Sequence, residues 1–162
     1  MISILREYYD AVGEAATECG GTIKDQAGDG VLILVGAPIP YADHALRALA
    51  LARKIRERGM AITARWSDKN QSLGVGVGVA SGFVTVGVIG GASRLEYTAV
   101  GPAVNLASRL CSEAAHGEIL IDGRTLDLLD EEAKRLYPLT PGEALKLKGF
   151  HQLVQSYTLS AA

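Results

Sequence analysis

The sequence predicts an α+β domain, in which an antiparallel or mixed sheet carries its helices on one face. Two patterns point to this class: apolar residues recur at helical spacing almost from the first residue, and a β-hairpin follows directly. Later strands come in pairs, so the expected order αββαββαβαβββ differs from the regular alternation of a doubly wound domain. No repeat or linker divides the 162 residues, and a single domain is expected.

The composition fits one folded domain and excludes several other classes. Apolar residues make up 48% and charged residues 21%, unlike a disordered tail, a collagenous chain or a coiled coil. The net charge of −2 offers no basic surface for nucleic acid or an anionic membrane. No apolar run reaches the roughly 18 residues of a membrane span. Two isolated cysteines favour a reducing, cytoplasmic setting over a disulfide framework or a metal cluster.

The first half of the chain is expected to contain two helices on either side of a hairpin. The first helix stops at Gly20-Gly21, a common C-terminal signal, and a tight turn at Gly28-Asp29-Gly30 joins the two strands. The second helix has an apolar inner face and a basic outer face. The expected ranges are up to about 18 and 41–58 for the helices, and 22–27 and 31–35 for the strands.

The second half is expected to alternate strands and short helices. Strands are predicted over 73–79, 83–89 and 118–121, and helices over 102–114 and 124–129. Residues 92–100 are expected to form a loop. The tail, 136–159, is expected to carry two or three strands around the turn Thr140-Pro141-Gly142.

Glycines alternate along the predicted strand 73–79, at Gly74, Gly76 and Gly78. A dinucleotide-binding loop would place its glycines between a strand and a helix, so the context here argues against one. Alternating glycines leave one side of a strand bare. We therefore expect a helix or a second chain to approach this backbone closely.

Asp29 lies between two glycines at the tip of the predicted hairpin, where its carboxylate is exposed and rigidly placed. Such a carboxylate can bind a divalent cation or a water of its hydration shell. Asp-Gly is also common hairpin-turn chemistry, so the motif alone leaves both interpretations open.

Asn105 and Arg109 are four residues apart in the predicted helix 102–114, so they share one face, one turn apart. An amide donor beside a guanidinium is well suited to phosphate oxygens. The alternative is a solvated arginine with an asparagine near the helix N-terminus.

Several short motifs follow one another along residues 4–159. They are Gly20-Gly21-Thr22-Ile23, Gly28-Asp29-Gly30-Val31, Gly36-Ala37-Pro38, Asp43-His44-Ala45-Leu46-Arg47-Ala48, Tyr97-Thr98, Gly101, Val104-Asn105-Leu106-Ala107, Arg109 and Gly117-Glu118-Ile119-Leu120-Ile121. Together and in this order, they resemble the class III nucleotidyl cyclase catalytic domain. The resemblance implies a ferredoxin-like, palm-type sheet. It also implies conversion of ATP or GTP into 3′,5′-cyclic nucleotide and pyrophosphate in cyclic-nucleotide signalling, by a homodimer or a heterodimer with another cyclase domain.

The resemblance also implies roles for individual residues. In the family, one protomer supplies two metal-binding aspartates, and the other supplies a base-recognising pair with a transition-state asparagine and arginine. By position, Asp29 is the expected ligand of Mg²⁺ or Mn²⁺, and Asn105 and Arg109 are the expected catalytic pair. Lys148 is a candidate for contact with the polyphosphate. Such groups would stabilise the charge that develops on the α-phosphoryl group.

The sequence departs from the family at its start. Family members open with a Phe-x-Asp strand that carries the first metal carboxylate, whereas this chain starts in the helix that follows it. Asp10 lies on that helix and is not expected to replace the carboxylate. We therefore expect an N-terminally incomplete domain, with an incomplete metal site and unpaired strand edges.

The base-recognising positions are expected to be Asp25 and Glu96. Adenylyl cyclases have a lysine where this chain has Asp25, and Lys24, one residue away, is expected on the opposite face of the strand. Two carboxylates match neither adenine nor guanine unless one is protonated. Base selection is therefore expected to be poor or altered.

Two functions of different classes remain open. An active cyclase is supported by Asp29, Asn105 and Arg109 at the expected positions. A catalytically degenerate module, which dimerises and regulates, is supported by the absent strand and by Asp25. A relation to diguanylate cyclases or polymerase palm domains would share the topology but leave Asn105 and Arg109 unexplained.

Overall fold

The structure, a computed structural model, describes residues 2–27, 29–67 and 73–161, without the side chains of residues 25–27 and 94. Its helices are α1 (Ile2–Cys19), α2 (His44–Trp66), α3 (Pro102–Glu113), α4 (Gly123–Asp127) and α5 (Glu131–Leu136). Its strands are β1 (Gly21–Ala27), β2 (Gly30–Val35), β3 (Val77–Val79), β4 (Thr85–Gly91), β5 (Arg94–Val100), β6 (Ile119–Asp122), β7 (Leu139–Leu145) and β8 (Val154–Leu159).

Two segments predicted as loop or turn lie in strands. Residues 92–100, expected as a loop, contain β5, because the backbone pairs with β4 along its whole length from Arg94 to Val100. The expected turn at residues 140–142 lies inside β7, where the register with β8 shifts between Pro141 and Ala144. A bulge of this kind lets a strand accommodate turn residues without ending.

The helices also differ from the expected ranges. α2 continues to Trp66 through Gly59, where a Cβ atom would lie 2.9 Å from Val75 Cγ2, so the glycine is used for close packing rather than to end the helix. α5 was not predicted from the sequence. It begins at an N-cap in which the carboxylate of Asp130 accepts a hydrogen bond of 2.7 Å from the Ala133 amide.

The strands form three hydrogen-bonded groups. β1 and β2 form the predicted hairpin, β4 and β5 form a second, and the remaining four pair in the order β3-β6-β8-β7. β3 and β6 are parallel and the other pairs are antiparallel, so the expected mixed sheet is confirmed. β2 and β3 contribute to one hydrophobic cluster without pairing, and each has an edge with no strand partner among the described residues.

Helices pack on both faces of the four-stranded sheet. Ile119 and Ile121 of β6 share a buried cluster with Leu49 of α2, whereas the intervening Leu120 shares one with Leu110 of α3. Successive side chains of a strand point to opposite faces. The expectation that the helices lie on one face is therefore wrong for α3, which lies opposite α2.

Gly76 and Gly78 let α3 lie directly on the backbone of the β3 region. A Cβ atom on Gly78 would lie 2.3 Å from both Ala107 O and Cys111 N, and one on Gly76 would lie 3.0 Å from Ala114 Cβ. The first of these distances leaves no space for any side chain. The close helix approach expected from the alternating glycines is confirmed.

α1 and α2 lie antiparallel and are joined by charged pairs at both ends. Glu7 near the start of α1 contacts Arg65 and accepts a hydrogen bond of 2.9 Å from Trp66 Nε1 at the end of α2. Glu18, near the other end of α1, lies 2.8 Å from both Lys54 and Arg58. No helix among the described residues is long and apolar enough to cross a membrane.

We expect Gly78→Ala to destabilise the protein by about 2 kcal/mol or more, because the added methyl group would overlap the α3 backbone. Urea unfolding followed by circular dichroism measures the change. Gly87→Ala is the matched control, since a Cβ there meets nothing within 4 Å and a strand glycine is itself unfavourable. Equal stability of the two variants would contradict the close packing of α3 on β3.

The ion pairs of Glu18 predict a pH-dependent contribution to stability. Hydrogen bonds from Lys54 and then Arg58 lower the pKa of Glu18 from 4.5 to about 2. Because the folded pKa is the lower one, the stabilisation is present above pH 4.5 and is lost as the pH falls towards 2. Since the pairs are at the surface, the effect is small and weakened by salt.

Glu18→Gln should therefore lower the melting temperature slightly at pH 7 and leave it unchanged at pH 2. Differential scanning calorimetry at low salt measures both values. Glu57→Gln, on the exposed side of α2, serves as control for the loss of a surface charge. A difference between Glu18→Gln and the parent protein that is equally large at both pH values would contradict an ionic origin.

Candidate functional site

The central element of the candidate site is α3. Gly101 precedes it with a φ of 152°, in a conformation that favours glycine, and a Cβ there would lie 2.9 Å from Phe83 O. Pro102 occupies the first turn, where its missing N–H costs no hydrogen bond. Ala103 and Leu110 are buried, whereas Asn105 is exposed and Arg109 half-buried. The helix thus presents the predicted catalytic pair on its outward side.

A chain of hydrogen bonds links α4 to the segment 81–82, which packs against the start of α3. Thr125 donates its hydroxyl proton to buried Asp122 Oδ1 over 2.5 Å, so Ser81 must donate to Thr125 Oγ1, 2.8 Å away. The next residue, Gly82, lies against α3, since a Cβ there would be 3.1 Å from Ala103 Cβ. The hydrogen bond of Ser81 therefore connects the segment that packs against α3 to α4. Sequence reasoning missed the link from Ser81 to Thr125, because these two residues lie 44 positions apart along the sequence.

Asp29 is exposed in the turn between β1 and β2. Burial raises the pKa of Tyr8 in α1 to about 12, and the charges of Cys111, Tyr9 and Asp29 add to this shift. Burial is also the main cause of the raised pKa of Cys111, to which the charge of Asp29 contributes. The carboxylate of Asp29 thus lies near the side of α3 that carries Cys111.

Within one chain, Asp29 and the predicted catalytic pair lie on different sides of α3. At 3.6 residues per turn, Cys111 is about 120° around the helix from Asn105 and about 160° from Arg109. Cys111 also faces the strand, since its thiol is 3.5 Å from Gly76 O. The charge of Asp29 thus acts on the strand side of α3, whereas the predicted catalytic pair lies on other sides of this helix.

The described residues offer few ligands for the expected metal ion. Among the residues that the structure describes, no group of three or more His, Cys, Asp or Glu side chains could hold an ion. Mg²⁺ is usually held by one or two carboxylates together with waters and substrate phosphates. The exposed carboxylate of Asp29 fits one such ligand position, and the described residues leave the others to water and substrate.

Lys148 lies in an exposed turn between β7 and β8, rather than in a strand. The turn closes with a hydrogen bond of 3.1 Å from Phe150 N to Leu147 O. Leu147 is 3% exposed and packs in one cluster with Leu110 of α3. Leu147 thus packs the turn that carries Lys148 against the helix that carries Asn105 and Arg109.

The two expected base-recognising positions lie on strands that contact each other, β1 and β5. Glu96 is exposed and pairs across the second hairpin with Ile89. Asp25 pairs through its backbone with Leu32, and its side chain lies outside the described part of the chain. Between Ile23 and Asp25 the register shifts, so Lys24 is the extra residue of a β-bulge. The simple alternation expected for Lys24 and Asp25 is therefore broken.

The second hairpin, β4 with β5, exposes an unusual number of apolar side chains. Val88, Ile89 and Leu95 are 63%, 63% and 74% exposed, and Phe83 just before the hairpin is 87% exposed. An apolar surface of this kind is typical of an interaction site. The guanidinium of Arg124 lies 5.4 Å from the centre of the Phe83 ring, and the three hairpin side chains remain mostly exposed.

Known proteins resemble this chain in both sequence and structure. The family described as adenylate and guanylate cyclase catalytic domain matches residues 1–161. The uncharacterized protein MT1361 of Mycobacterium tuberculosis (strain CDC 1551 / Oshkosh) is 33% identical over 157 residues, which cover 96% of this chain and 26% of that protein. The chain thus spans about a quarter of the length of this curated relative.

Two solved structures extend the comparison to the fold. The adenylyl cyclase CyaB from P. aeruginosa has a TM-score of 0.84 at 28% identity, over 99% of this chain and 82% of its own. The guanylyl cyclase Cya2 has a TM-score of 0.86 at 30% identity, over 98% of this chain and 79% of its own. The expected class III cyclase fold is confirmed, and the chain belongs to the adenylate and guanylate cyclase catalytic domain family.

Proposed function

We propose that this domain catalyses the conversion of ATP or GTP into a 3′,5′-cyclic nucleotide and pyrophosphate. The observation that carries the proposal is the outward placement of Asn105 and Arg109 on α3. Their helix is fixed by backbone contact with the β3 region. The two related structures are an adenylyl and a guanylyl cyclase, so they leave the choice of base open.

Asn105 and Arg109 have the chemistry that this reaction needs. The 3′-hydroxyl attacks the α-phosphorus and pyrophosphate leaves, so negative charge develops on the α-phosphoryl oxygens and the leaving group. A guanidinium offers up to five N–H donors in a planar fork, and the asparagine amide adds a neutral donor. Held on a rigid helix, both groups stabilise that charge without reorganising. Lys148 would neutralise the polyphosphate as a point charge.

Asp29 would bind the divalent cation of the site, Mg²⁺ or Mn²⁺. Its exposed carboxylate is a hard oxygen ligand, which suits either ion. When bound, the cation would supply positive charge beside the phosphates and favour ionisation of the attacking hydroxyl.

Two chains are needed to bring these groups together. The charge of Asp29 acts on Cys111, which lies about 120° around α3 from Asn105 and about 160° from Arg109, and this supports a site in which the three residues meet across an interface. We propose a head-to-tail dimer, either of this chain with itself or with another cyclase domain. The exposed apolar hairpin β4–β5 provides surface that such a dimer would bury.

A regulatory module without turnover is the second candidate function. It is favoured by Asp25, which stands where adenylyl cyclases have a lysine. In this case the chain would keep the fold and the dimer surface and act through a catalytically complete partner.

We expect the dimeric protein, with Mn²⁺ and ATP or GTP, to form cyclic nucleotide. Asn105→Ala, Arg109→Ala and Asp29→Ala should each lower turnover by a factor of about 100 or more, because each removes a charge-stabilising or metal-binding group. Product is measured by chromatography. Arg135→Ala, an exposed arginine in the last turn of α5, is the matched control and should retain full turnover.

The outcomes separate the two candidate functions. Turnover that survives Asp29→Ala would overturn the metal assignment. If the parent chain forms no product alone, but changes the turnover of an intact cyclase with which it associates, the regulatory module is the correct function.

A further inference from the structure

We infer that Ser81 is a positioning residue for Asn105, because its hydrogen bond to α4 fixes the segment against which the first turn of α3 packs. The inference rests on the proposed function, in which Asn105 stabilises the charge on the α-phosphoryl group. Ser81 holds the backbone that carries the asparagine, and this role needs no contact with the nucleotide.

The hydrogen bond of Ser81 ends on a buried and fully engaged group. Thr125 is 0% exposed and Asp122 is 5% exposed. The carboxylate of Asp122 accepts hydrogen bonds from the amide and the hydroxyl of Thr125, over 3.1 and 2.5 Å. The only hydroxyl proton of Thr125 is thus used, and its oxygen accepts from Ser81 over 2.8 Å. Ser81 is therefore bonded to a fixed point of the fold.

The segment after β3 contacts the start of α3 at two glycines. A Cβ on Gly82 would lie 3.1 Å from Ala103 Cβ, and one on Gly101 would lie 2.9 Å from Phe83 O. The amide of Asn105 in turn donates a hydrogen bond of 3.3 Å to Gly101 O. The position of this segment therefore sets the position of the first helical turn and of Asn105.

α4 contacts the same segment a second time. The guanidinium of Arg124, next to Thr125 in the sequence, lies 5.4 Å from the centre of the Phe83 ring. Phe83 is 87% exposed, so this cation–π contact contributes little. The hydrogen bond of Ser81 is therefore the stronger of the two links.

The rest of α3 is held separately. A Cβ on Gly78 would lie 2.3 Å from Ala107 O and from Cys111 N, so the helix rests on the β3 region at these two residues. Arg109 lies between them in the sequence, whereas Asn105 precedes both. Loosening the segment after β3 should therefore displace Asn105 and leave Arg109 in place.

Ser81→Ala breaks the link without leaving a buried charge unpaired. Asp122 keeps both hydrogen bonds from Thr125, and only one acceptor site of the Thr125 hydroxyl loses its partner. We expect the variant to fold, with a melting temperature within about 3 °C of the parent protein. Its effect on Asn105 can therefore be separated from an effect on the whole fold.

Hydrogen exchange tests the positioning without requiring turnover. The amide of Asn105 is hydrogen-bonded within the first turn, and NMR follows its exchange in the dimeric protein. In Ser81→Ala we expect this amide to exchange about fivefold faster or more, while the amide of buried Leu110 keeps its rate. Ser112→Ala removes a hydroxyl that donates to Ser108 O at the other end of α3, and this matched control should change neither rate.

Turnover with Mn²⁺ and ATP or GTP tests the role in the reaction. We expect Ser81→Ala to lower kcat about tenfold and to leave KM within about twofold, because a misplaced donor mainly weakens binding of the transition state. Combined with Asn105→Ala it should lower kcat no further, since the group that it positions is gone. Combined with Arg109→Ala it should again lower kcat about tenfold, because the two residues are held separately.

Each outcome bears on a specific claim. Faster exchange at Asn105, with a loss of kcat that vanishes in the Asn105→Ala background, supports the inference. Unchanged exchange in Ser81→Ala, or a loss of kcat that is equally large in the Asn105→Ala and Arg109→Ala backgrounds, overturns it while the proposed function stands. A melting temperature far below that of the parent also overturns it, because Ser81 would then stabilise the whole fold. If the parent dimer forms no product although Ser81→Ala speeds exchange at Asn105, the proposed function fails and the placement of Asn105 by Ser81 stands.

Discussion

The contact between α3 and the glycines of the β3 region is the constraint on which the candidate site depends. A Cβ on Gly78 would lie 2.3 Å from helix backbone atoms, so the contact exists only because the side chain is absent. It also fixes the rotation of the helix. Since Ala107 and Cys111 face the strand, Asn105 must face outward, and buried Leu147 packs the turn of Lys148 against the same helix.

Because of this rotation, the proposed metal ligand and the proposed phosphate-binding residues of one chain lie on different sides of α3. The charge of Asp29 contributes to the raised pKa of Cys111, on the strand side of α3, while Asn105 and Arg109 lie about a third of a turn or more around the helix. A single protomer therefore carries the proposed metal ligand and the proposed phosphate-binding groups on different sides of the helix. The proposed dimer explains both this separation and the exposed apolar hairpin, where Val88 is 63% exposed.

The sequence correctly predicted those features of the fold that depend on neighbouring residues alone. The first hairpin, the start of α3 at Pro102 and the close approach at Gly78 all follow from turn, capping and side-chain size rules, and each is confirmed. β5 and the position of α3 opposite α2 were mispredicted, because both depend on pairing and packing with distant segments. The bulge at Lys24 is of the same kind: a register shift belongs to two strands, and one strand alone carries no signal of it. The roles of Asp29, Asn105, Arg109, Lys148, Asp25 and Glu96 stay predictions.

The most direct test of the two-chain site is complementation between variants that are inactive alone. Asp29→Ala and Asn105→Ala, carrying different affinity tags, are mixed in equal amounts, and mixed dimers are isolated through both tags. A mixed dimer contains one site in which both residues are native, so we expect it to regain about half the turnover of the parent dimer, because one of its two equivalent sites is intact. If mixed dimers form but no activity returns, Asp29 and Asn105 do not act in one shared site, and the account is contradicted.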